Sequence, residues 1–562
     1  MKKITYLNYF GILVIAFAAL SGCKKDFLEK PPKSAIVDAN FYKNDAQLAA
    51  ATSLLYSEVW FDYNDKAMYN LGDFRGGSAF SAYNDRGNVM FNTTGDNGEN
   101  GASWRAFFNV VAQSNLAIYN INRFAGPEVT EGAKKVAIAE ARFMRALAYR
   151  YLVMNWGAVP IIENNVDQLF DTSIRRNTVP SVWHFITSEM RAASEDLPLT
   201  ETQPGRLTKW SAEGMLARFY LTRAGVESTG GTRNQEFLDS AKYFAADVIN
   251  NSGKKLLSNY ADLFKYPYDN NSESLFELQW VFSGTSAWGT NNSMPEYLAF
   301  SPDISFGGWG GDKSCTWWLL SQYDGFALQP DGTLKGRTLD QRLHATFMLP
   351  GFTYPEITSM STKKALVFPL SGTDVNFLSI KKYVIGSPID LAGIAAQQHY
   401  PNDTYMMRLA ELYLIYTEAT IGNNASTTDP TAIAYFNAVH TRAGLAPYEV
   451  SGANGSGPLT LDDVFSERFK EFAMEGMAWY DFVSLHYWNP QKAFDMLNSQ
   501  DRGIFFANPD QMPNPTLWTF TKTAWSTTDR QINANEGNFL LPIPNAELSQ
   551  APNLKLDPVD YQ

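Results

Sequence analysis

Five of the fourteen tryptophans in this 562-residue chain fall within 39 residues, in a stretch rich in Gly and Asn. An indole ring offers a flat apolar face, and a tryptophan in a loop has less of the core to pack against than one in a helix. Sugar rings present flat C–H faces that stack on such rings, while their hydroxyls need polar partners. The stretch predicts an aromatic platform for a ligand of this kind, with these members: Trp288, Tyr297, Trp309, Trp317 and Trp318.

A second loop-rich stretch, residues 71–100, supplies polar side chains for the same purpose. Ligand sites combine an apolar surface with a small number of placed polar groups. The polar contacts predicted on this basis are Asp73, Arg75, Tyr83 and Asn84. The alternative is that the clustered tryptophans only fasten long loops to a scaffold, in which case the protein is an assembly scaffold without a small ligand.

The sequence lacks the motifs of the common catalytic sites. It contains no His-Glu-x-x-His, no Gly-x-Ser-x-Gly and no Walker A sequence. Its five histidines are not paired at metal-ligand spacing, and Cys315 has no adjacent histidine to activate its thiol. A surface glycoside hydrolase needs only two facing carboxylates, which leave no signature among 58 acidic residues. That enzyme remains the alternative to the non-catalytic binding protein that we predict.

No cofactor is predicted. The run Asp96-Asn97-Gly98-Glu99-Asn100-Gly101 has the composition of a calcium-binding loop but lacks the closing Glu of an EF-hand. A structural calcium ion is therefore left open rather than predicted.

The composition is that of a globular, acidic protein. Hydrophobic residues make up 45% of the chain, and the formal net charge is −12. A nucleic-acid-binding protein needs basic surface to neutralise phosphate, so that class is excluded. Two cysteines are too few for a disulfide-rich scaffold.

The N-terminus has the features of an export signal. Lys2 and Lys3 precede an apolar run over residues 10–20, which is too short to span a bilayer as a helix. The next residues, Leu20-Ser21-Gly22-Cys23, resemble a bacterial lipobox, in which the cysteine is acylated. We predict a signal peptide over residues 1–22, lipidation at Cys23 and a polar tether over residues 23–40.

A helical scaffold is predicted to carry the platform. Apolar residues from Val136 to Tyr151 recur at steps of seven, four and four, which places them on one face of a helix. The same kind of pattern predicts helices over residues 104–124, 133–156, 181–197, 210–224, 235–250, 405–421 and 431–443.

The helices pair in a way that predicts the architecture. Small Ala or Gly residues face bulky Tyr, Phe or Leu, as in tetratricopeptide-like repeats, although the period is not uniform. We predict a mostly α, single-domain fold over residues 41–562, with a superhelical scaffold at about 41–253 and 401–500. Residues 254–400 lack long helical periodicity and are predicted to be a large loop-rich, ligand-side insertion with minor β structure. An irregular helical bundle is the alternative.

Fragments along nearly the whole chain resemble one protein family, in order and in spacing. They are Cys23–Pro32, Trp104–Asn115, Ala141–Ala146, Trp156–Pro160, Leu207–Leu221, Tyr413–Ala419, Phe436–Leu445, Glu467–Glu471, Glu475, Gly476, Asp481, Leu541–Pro544 and Glu547. The pattern is similar to that of the SusD/RagB family of outer-membrane nutrient-binding lipoproteins.

The resemblance implies a function as well as a fold. It implies a lipid-anchored, non-catalytic protein on the cell surface that captures an oligomeric nutrient, often a glycan. It also implies delivery of that nutrient to a SusC-like TonB-dependent transporter in the outer membrane. The matching residues belong to the scaffold, so the resemblance does not identify the ligand.

Overall fold

A computed structural model describes residues 41–561, apart from residues 82–85, 169–170, 172, 285–288, 290, 370–377, 453–454, 508–516 and 523–529 and the side chain of Asp167. The predicted signal peptide and tether, with Cys23, lie outside the described residues. So do three predicted ligand contacts: Tyr83, Asn84 and Trp288.

Helices dominate the first half of the described chain. They are α1 (Asp45–Ser53), α2 (Arg86–Val89), α3 (Gly98–Phe124), α4 (Glu131–Trp156), α5 (Asn165–Gln168), α6 (Val179–Asp196), α7 (Lys209–Val226) and α8 (Gln235–Asn251). Between α1 and α2 lie two 3₁₀ turns, Leu54–Tyr56 and Glu58–Trp60, and two π-helical turns, Tyr63–Ala67 and Asn70–Phe74. The predicted helices of this half are confirmed, with boundaries that differ by a few residues.

Local capping sets where these helices begin and end. The Thr130 hydroxyl accepts a hydrogen bond from the Ala133 N–H at the start of α4, and Gly157 ends that helix with a φ of +72°. The Asn97 side chain accepts from the Asn100 N–H at the start of α3. The acidic, Asn-rich run at residues 96–101 is therefore the capped beginning of a helix.

The second half contains shorter elements between longer helices. The helices are α9 (Met294–Leu298), α10 (Trp317–Leu320), α11 (Arg342–Thr346), α12 (Leu409–Ile421), α13 (Pro430–Arg442), α14 (Leu461–Glu471), α15 (Ala478–His486), α16 (Pro490–Asn498) and α17 (Asn545–Gln550). Two 3₁₀ turns, Tyr260–Phe264 and Pro552–Lys555, complete the helical elements that the structure describes.

Consecutive helices stack side by side, as the repeat-like pattern predicts. Among the described helices, α4 packs on α3 and α6, α7 packs on α6 and α8, and α12 packs on α8 and α13. This stack runs through both halves of the chain, since α12 follows α8 in space although about 160 residues separate them in sequence.

The strands are short and mostly join distant parts of the chain. They are β1 (Ala79–Ser81), β2 (Ser274–Leu278), β3 (Lys313–Cys315), β4 (Phe326–Leu328), β5 (Leu334–Gly336), β6 (Thr353–Thr358), β7 (Ala365–Val367), β8 (Thr404–Arg408), β9 (Ser426–Thr427), β10 (Leu459–Thr460), β11 (Phe505–Ala507) and β12 (Trp518–Lys522). The antiparallel pairs are β1–β3, β2–β8, β6–β7 and β9–β10, and a four-stranded sheet has the order β11-β12-β5-β4. The predicted mostly α fold with minor β structure is confirmed.

A buried network of ion pairs joins the loop-rich region to the later helices. Arg408, at the end of β8, lies 2.9 Å from Glu273 and 2.5 Å from Glu471, measured between nitrogen and oxygen. Arg342 of α11 contacts Glu467 at 2.6 Å and Glu471 at 3.2 Å. All five side chains are buried, so each charge depends on its partners for solvation.

Candidate functional site

The glycine-rich loop at residues 306–311 lies directly against α9. A Cβ on Gly307 would fall 2.0 Å from Oε1 of Glu296, and a Cβ on Gly310 would fall 2.1 Å from the carbonyl oxygen of Leu298. At Gly310 the obstacle is backbone, so a side chain does not fit there, and at Gly307 the Glu296 side chain would have to move. The glycines therefore allow the loop backbone to pack onto the helix, and they leave its other face to solvent.

Trp309 is one of two aromatic side chains that this loop exposes, the other being Phe306. Its backbone N–H donates a hydrogen bond to the backbone carbonyl oxygen of Glu296 at 3.1 Å. The residue is nevertheless 41% exposed. The ring of Tyr297, on α9, lies against it, with 5.4 Å between ring centroids and an angle of 74° between ring planes. Tyr297 thus supports the indole edge-on and leaves the exposed area of Trp309 available as a stacking surface.

Two ammonium groups hold Tyr297 in place. Nζ of Lys66 lies 5.3 Å from the centroid of the Tyr297 ring, and Nζ of Lys313 lies 5.7 Å from it. Lys66 belongs to the first π-helical turn and forms an ion pair at 3.7 Å with Glu99, in the first turn of α3. Irregular π-helical turns are frequent at functional sites, where they redirect a side chain.

The β1–β3 pair anchors the other lysine. Lys313, the first residue of β3, is buried and forms an ion pair with Asp312 at 2.8 Å. The second carboxylate oxygen of Asp312 accepts a hydrogen bond from the Ser81 hydroxyl, at the end of β1, also at 2.8 Å. This strand pair therefore connects the loop of Trp309 to the end of β1, one residue before residues 82–85.

Partial burial changes the pKa values of Tyr297 and Lys66. Burial raises the pKa of Tyr297, so its hydroxyl stays neutral at physiological pH. Burial lowers the pKa of Lys66, but the hydrogen bond to Tyr297 and the charge of Glu99 outweigh that effect and leave the pKa above its usual value. The site thus offers a neutral phenol and a charged ammonium beside an exposed indole.

The structure corrects the assignment of Trp317 and Trp318 to the platform. Trp317 is 5% exposed and packs edge-on against Phe505, with 5.8 Å between centroids. Trp318 is partly buried against Phe469, with 5.0 Å between centroids. Both residues open α10: Trp317 is part of the core, and Trp318 packs against the edge of the core at Phe469 and Phe482. Among the described members of the predicted platform, Trp309 and Tyr297 remain.

Asp73 and Arg75 are also corrected, since both are fully buried. The Asp73 carboxylate accepts hydrogen bonds from the N–H groups of Met474 and Gly476, at 2.7 and 2.8 Å. Nη2 of Arg75 donates to two backbone carbonyl groups at 2.7 Å, and its guanidinium lies 4.1 Å from the centroid of the Phe91 ring. Asp73 thus fastens the second π-helical turn to the segment between α14 and α15, and Arg75 fastens the residue after that turn to Asn538 and Phe539.

Sequence reasoning missed the residues that surround the Tyr297–Trp309 pair. Asp312 and Lys313 follow Trp309 by three and four residues, so their nearness along the chain was a signal that could have found them. Lys66 and Glu99 come from distant segments, and no spacing in the sequence connects them to Trp309.

Three carboxylates elsewhere could hold a cation. Asp269, Glu277 and Asp403 each place an oxygen within 4.8 Å of the others, where β2 pairs with β8. Burial raises the pKa of Asp269 to about 6 and that of Glu277 to about 8, and it raises the pKa of Asp403 as well. Oxygen ligands of this type suit Ca²⁺.

Cys315, His440 and His344 each have a structural role in the described chain. Cys315 is buried, which raises the pKa of its thiol. Nδ1 of His440 lies 2.9 Å from the Glu467 carboxylate within the ion-pair network, and His344 stacks on Phe352. Neither arrangement is a nucleophile–base pair.

Comparison with known proteins identifies the family of this chain. Residues 272–558 match the model of the SusD family, and residues 26–221 match a second model, described as starch-binding associating with outer membrane. A SusD-like protein from Bacteroides ovatus is 35% identical over 98% of both chains. The chain belongs to the SusD family.

Relatives within the SusD family extend the comparison. A SusD-like protein from Formosa agariphila, called P2, is 25% identical over 90% of this chain and 96% of its own length. A crystal structure with a bound xylogluco-oligosaccharide matches with a TM-score of 0.78 and 33% identity, over 92% of this chain and 99% of that one. A laminarin-binding SusD-like protein, at 22% identity and a TM-score of 0.63, shares the fold.

Within the part of the chain that the structure describes, no helix is both long enough and apolar enough to span a bilayer.

Proposed function

We propose that this SusD-family chain is a non-catalytic lipoprotein of the cell surface that binds an oligosaccharide. Acylation at Cys23 would hold it in the outer membrane, and it would pass its ligand to a SusC-like TonB-dependent transporter. Family membership supports the localisation and the partner, and the absence of catalytic motifs from the sequence supports a binding role.

The exposed indole of Trp309 carries the glycan-binding part of the proposal. Four of the six residues of the glycine-rich loop are glycines, and its two aromatic side chains, Phe306 and Trp309, are both exposed, with Tyr297 packed against Trp309. An apolar ring beside charged and hydroxyl groups suits a sugar, which has an apolar face and a polar rim. The xylogluco-oligosaccharide in the 33% identical relative makes a plant β-glucan the first ligand to test.

Affinity electrophoresis and calorimetry with xyloglucan oligosaccharides test this proposal directly. We expect Trp309→Ala to weaken binding roughly tenfold or more, as loss of a central aromatic contact does elsewhere. Laminarin and starch should be included, because the indole alone does not choose between glucans.

Tyr243→Ala is the matched control, because Tyr243 is an aromatic residue on α8 that is 64% exposed and lies outside the site. It should bind as the unaltered protein does. Equal affinity of the Trp309→Ala variant and the unaltered protein for every retained glycan would show that Trp309 is not the platform. If no glycan is retained, the glycan proposal fails while the family assignment stands.

A further inference from the structure

A small cavity lies where helices from both halves of the chain meet. Its volume is about 20 Å³, and it is lined by residues of α4, α7, α12, α14 and α15. All the lining residues but Ser484 are buried. A volume of this size holds one guest about as large as a water molecule or a monatomic ion.

Arg150 brings an unsatisfied cation to this cavity. Its side chain is 2% exposed, and within the described chain its Nε and Nη1 have no hydrogen-bond partner. Its guanidinium instead lies over the rings of Tyr151 and Tyr480, 5.1 and 4.6 Å from their centroids. Nη1 of Arg468, which also lines the cavity, likewise has no partner among the described residues. Buried N–H groups without an acceptor lose the hydration free energy that they had in the unfolded chain.

The carboxylates around the cavity are already engaged by other arginines. Glu411 accepts from Nε of Arg218 at 2.8 Å, and Asp481 accepts from Arg468 at 2.6 and 3.0 Å. A third lining carboxylate, Glu418, pairs with a further arginine, Arg233, at 2.8 Å.

Ion pairing around the cavity is nevertheless incomplete. The lining holds three arginines and three carboxylates, but Glu418 pairs with Arg233 outside the lining, so Arg150 has no ion-pair partner in the described structure. Among the lining residues, the buried polar atoms without a partner are arginine N–H donors, and none is a carboxylate or hydroxyl oxygen. A water molecule would accept from two of these groups and direct its hydrogens to the lining carboxylates, but it would bring no negative charge to Arg150. A monatomic anion only accepts and supplies the missing charge.

We propose that this cavity is a binding site for a single halide ion, with chloride as the natural occupant. The ion accepts hydrogen bonds from Arg150 of α4 and Arg468 of α14 and supplies the ion-pair partner that Arg150 lacks. It thereby links α4, in the first half of the chain, to α14, in the second half. The site does not depend on the oligosaccharide function proposed above.

Thermal unfolding of the purified protein in chloride and in gluconate, at equal ionic strength, tests the site in solution. We expect a melting temperature about 2 °C higher in chloride when its concentration is roughly 100 times its Kd. Crystals grown from bromide should show an anomalous peak in the cavity beside Arg150. Equal melting temperatures in the two salts, or a cavity peak without anomalous scattering, would overturn the proposal.

Arg150→Met assigns any halide dependence to this cavity, since methionine has a similar length but no charge and no donor. The difference between chloride and gluconate should disappear in this variant. Arg191→Met is the control, because Arg191 is an exposed residue of α6 that does not line the cavity, and the difference should persist there. Persistence of the difference in Arg150→Met would place the halide elsewhere. If that variant does not fold, the bromide crystals decide.

Discussion

The contrast between Trp309 and its neighbours Trp317 and Trp318 shows what decides the role of a single residue. All three lie in one aromatic-rich stretch, but glycines flank only Trp309 on both sides. That local signal predicted exposure correctly for Trp309. The burial of the other two depends on Phe505 and Phe469, which lie more than 150 residues away, and sequence spacing carries no trace of these contacts.

Gly308→Ala tests whether the loop conformation exposes Trp309. Gly308 has a φ of +58°, and a Cβ there would lie 2.0 Å from the carbonyl carbon of Ser301. We expect the loop to shift, with a stability loss of about 1–3 kcal/mol and weaker glycan binding. Calorimetric titration and thermal unfolding measure the two effects.

Gly230→Ala is the matched control for this experiment. Gly230 has the same φ of +58°, but a Cβ there would meet nothing within 4 Å. Alanine at Gly230 should therefore cost only the backbone preference, about 1 kcal/mol, and leave binding unchanged. Equal losses at Gly308 and Gly230 would show that close packing of the loop is unimportant.

At the scale of elements, prediction succeeded where the determining interactions are local. The helices of the first half follow from apolar periodicity and from caps such as Thr130 and Gly157, which act within a few residues. The strands β1 and β3 are three residues each and exist because they pair with each other across more than 230 residues. Short elements of this kind have no periodicity of their own, so their place beside the site could not be predicted.

The three carboxylates beside the β2–β8 pair predict that the stability of the fold depends on pH. Burial raises the pKa of Glu277 from 4.5 to about 8, beside Asp269 and Asp403, whose pKa values are raised in the same direction. The folded state therefore holds protons that the unfolded chain has released. Linkage then makes the contribution of these groups to stability fall as pH rises from about 4.5 to about 8.

Glu277→Gln tests this dependence, because glutamine mimics the protonated acid. Thermal unfolding should be measured in EDTA, since a cation between the carboxylates would offset their repulsion. The variant should be more stable than the unaltered protein by roughly 1–3 kcal/mol at pH 8, and nearly equal to it at pH 5. Glu236→Gln, on the exposed face of α8, should show no such change with pH. A pH-independent effect of Glu277→Gln would contradict the linkage.

At the scale of the whole molecule, the fold is held together by contacts that have no counterpart in local sequence. The helix stack passes from α8 to α12 across the loop-rich region, and the ion pairs of Arg408 reach Glu273, 135 residues earlier. The resemblance to a family predicted the overall architecture, because members of a family share a fold and therefore its long-range contacts. The residues alone predicted helices but not how the two halves join.

Arg408→Met tests how strongly the buried network unites the two halves. Arg408 is 1% exposed and contacts Glu273, Glu471 and Glu475, so its removal leaves buried carboxylates short of positive charge. We expect a loss of about 3–5 kcal/mol, seen as a melting temperature lower by roughly 3–5 °C for a chain of this size. Lys135→Met is the control: the Lys135 side chain on α4 is 64% exposed and pairs with the partly exposed Asp196, and such surface pairs contribute at most about 1 kcal/mol. Similar losses for the two variants would mean that the buried network contributes no more than a surface pair, and that apolar packing alone joins the halves.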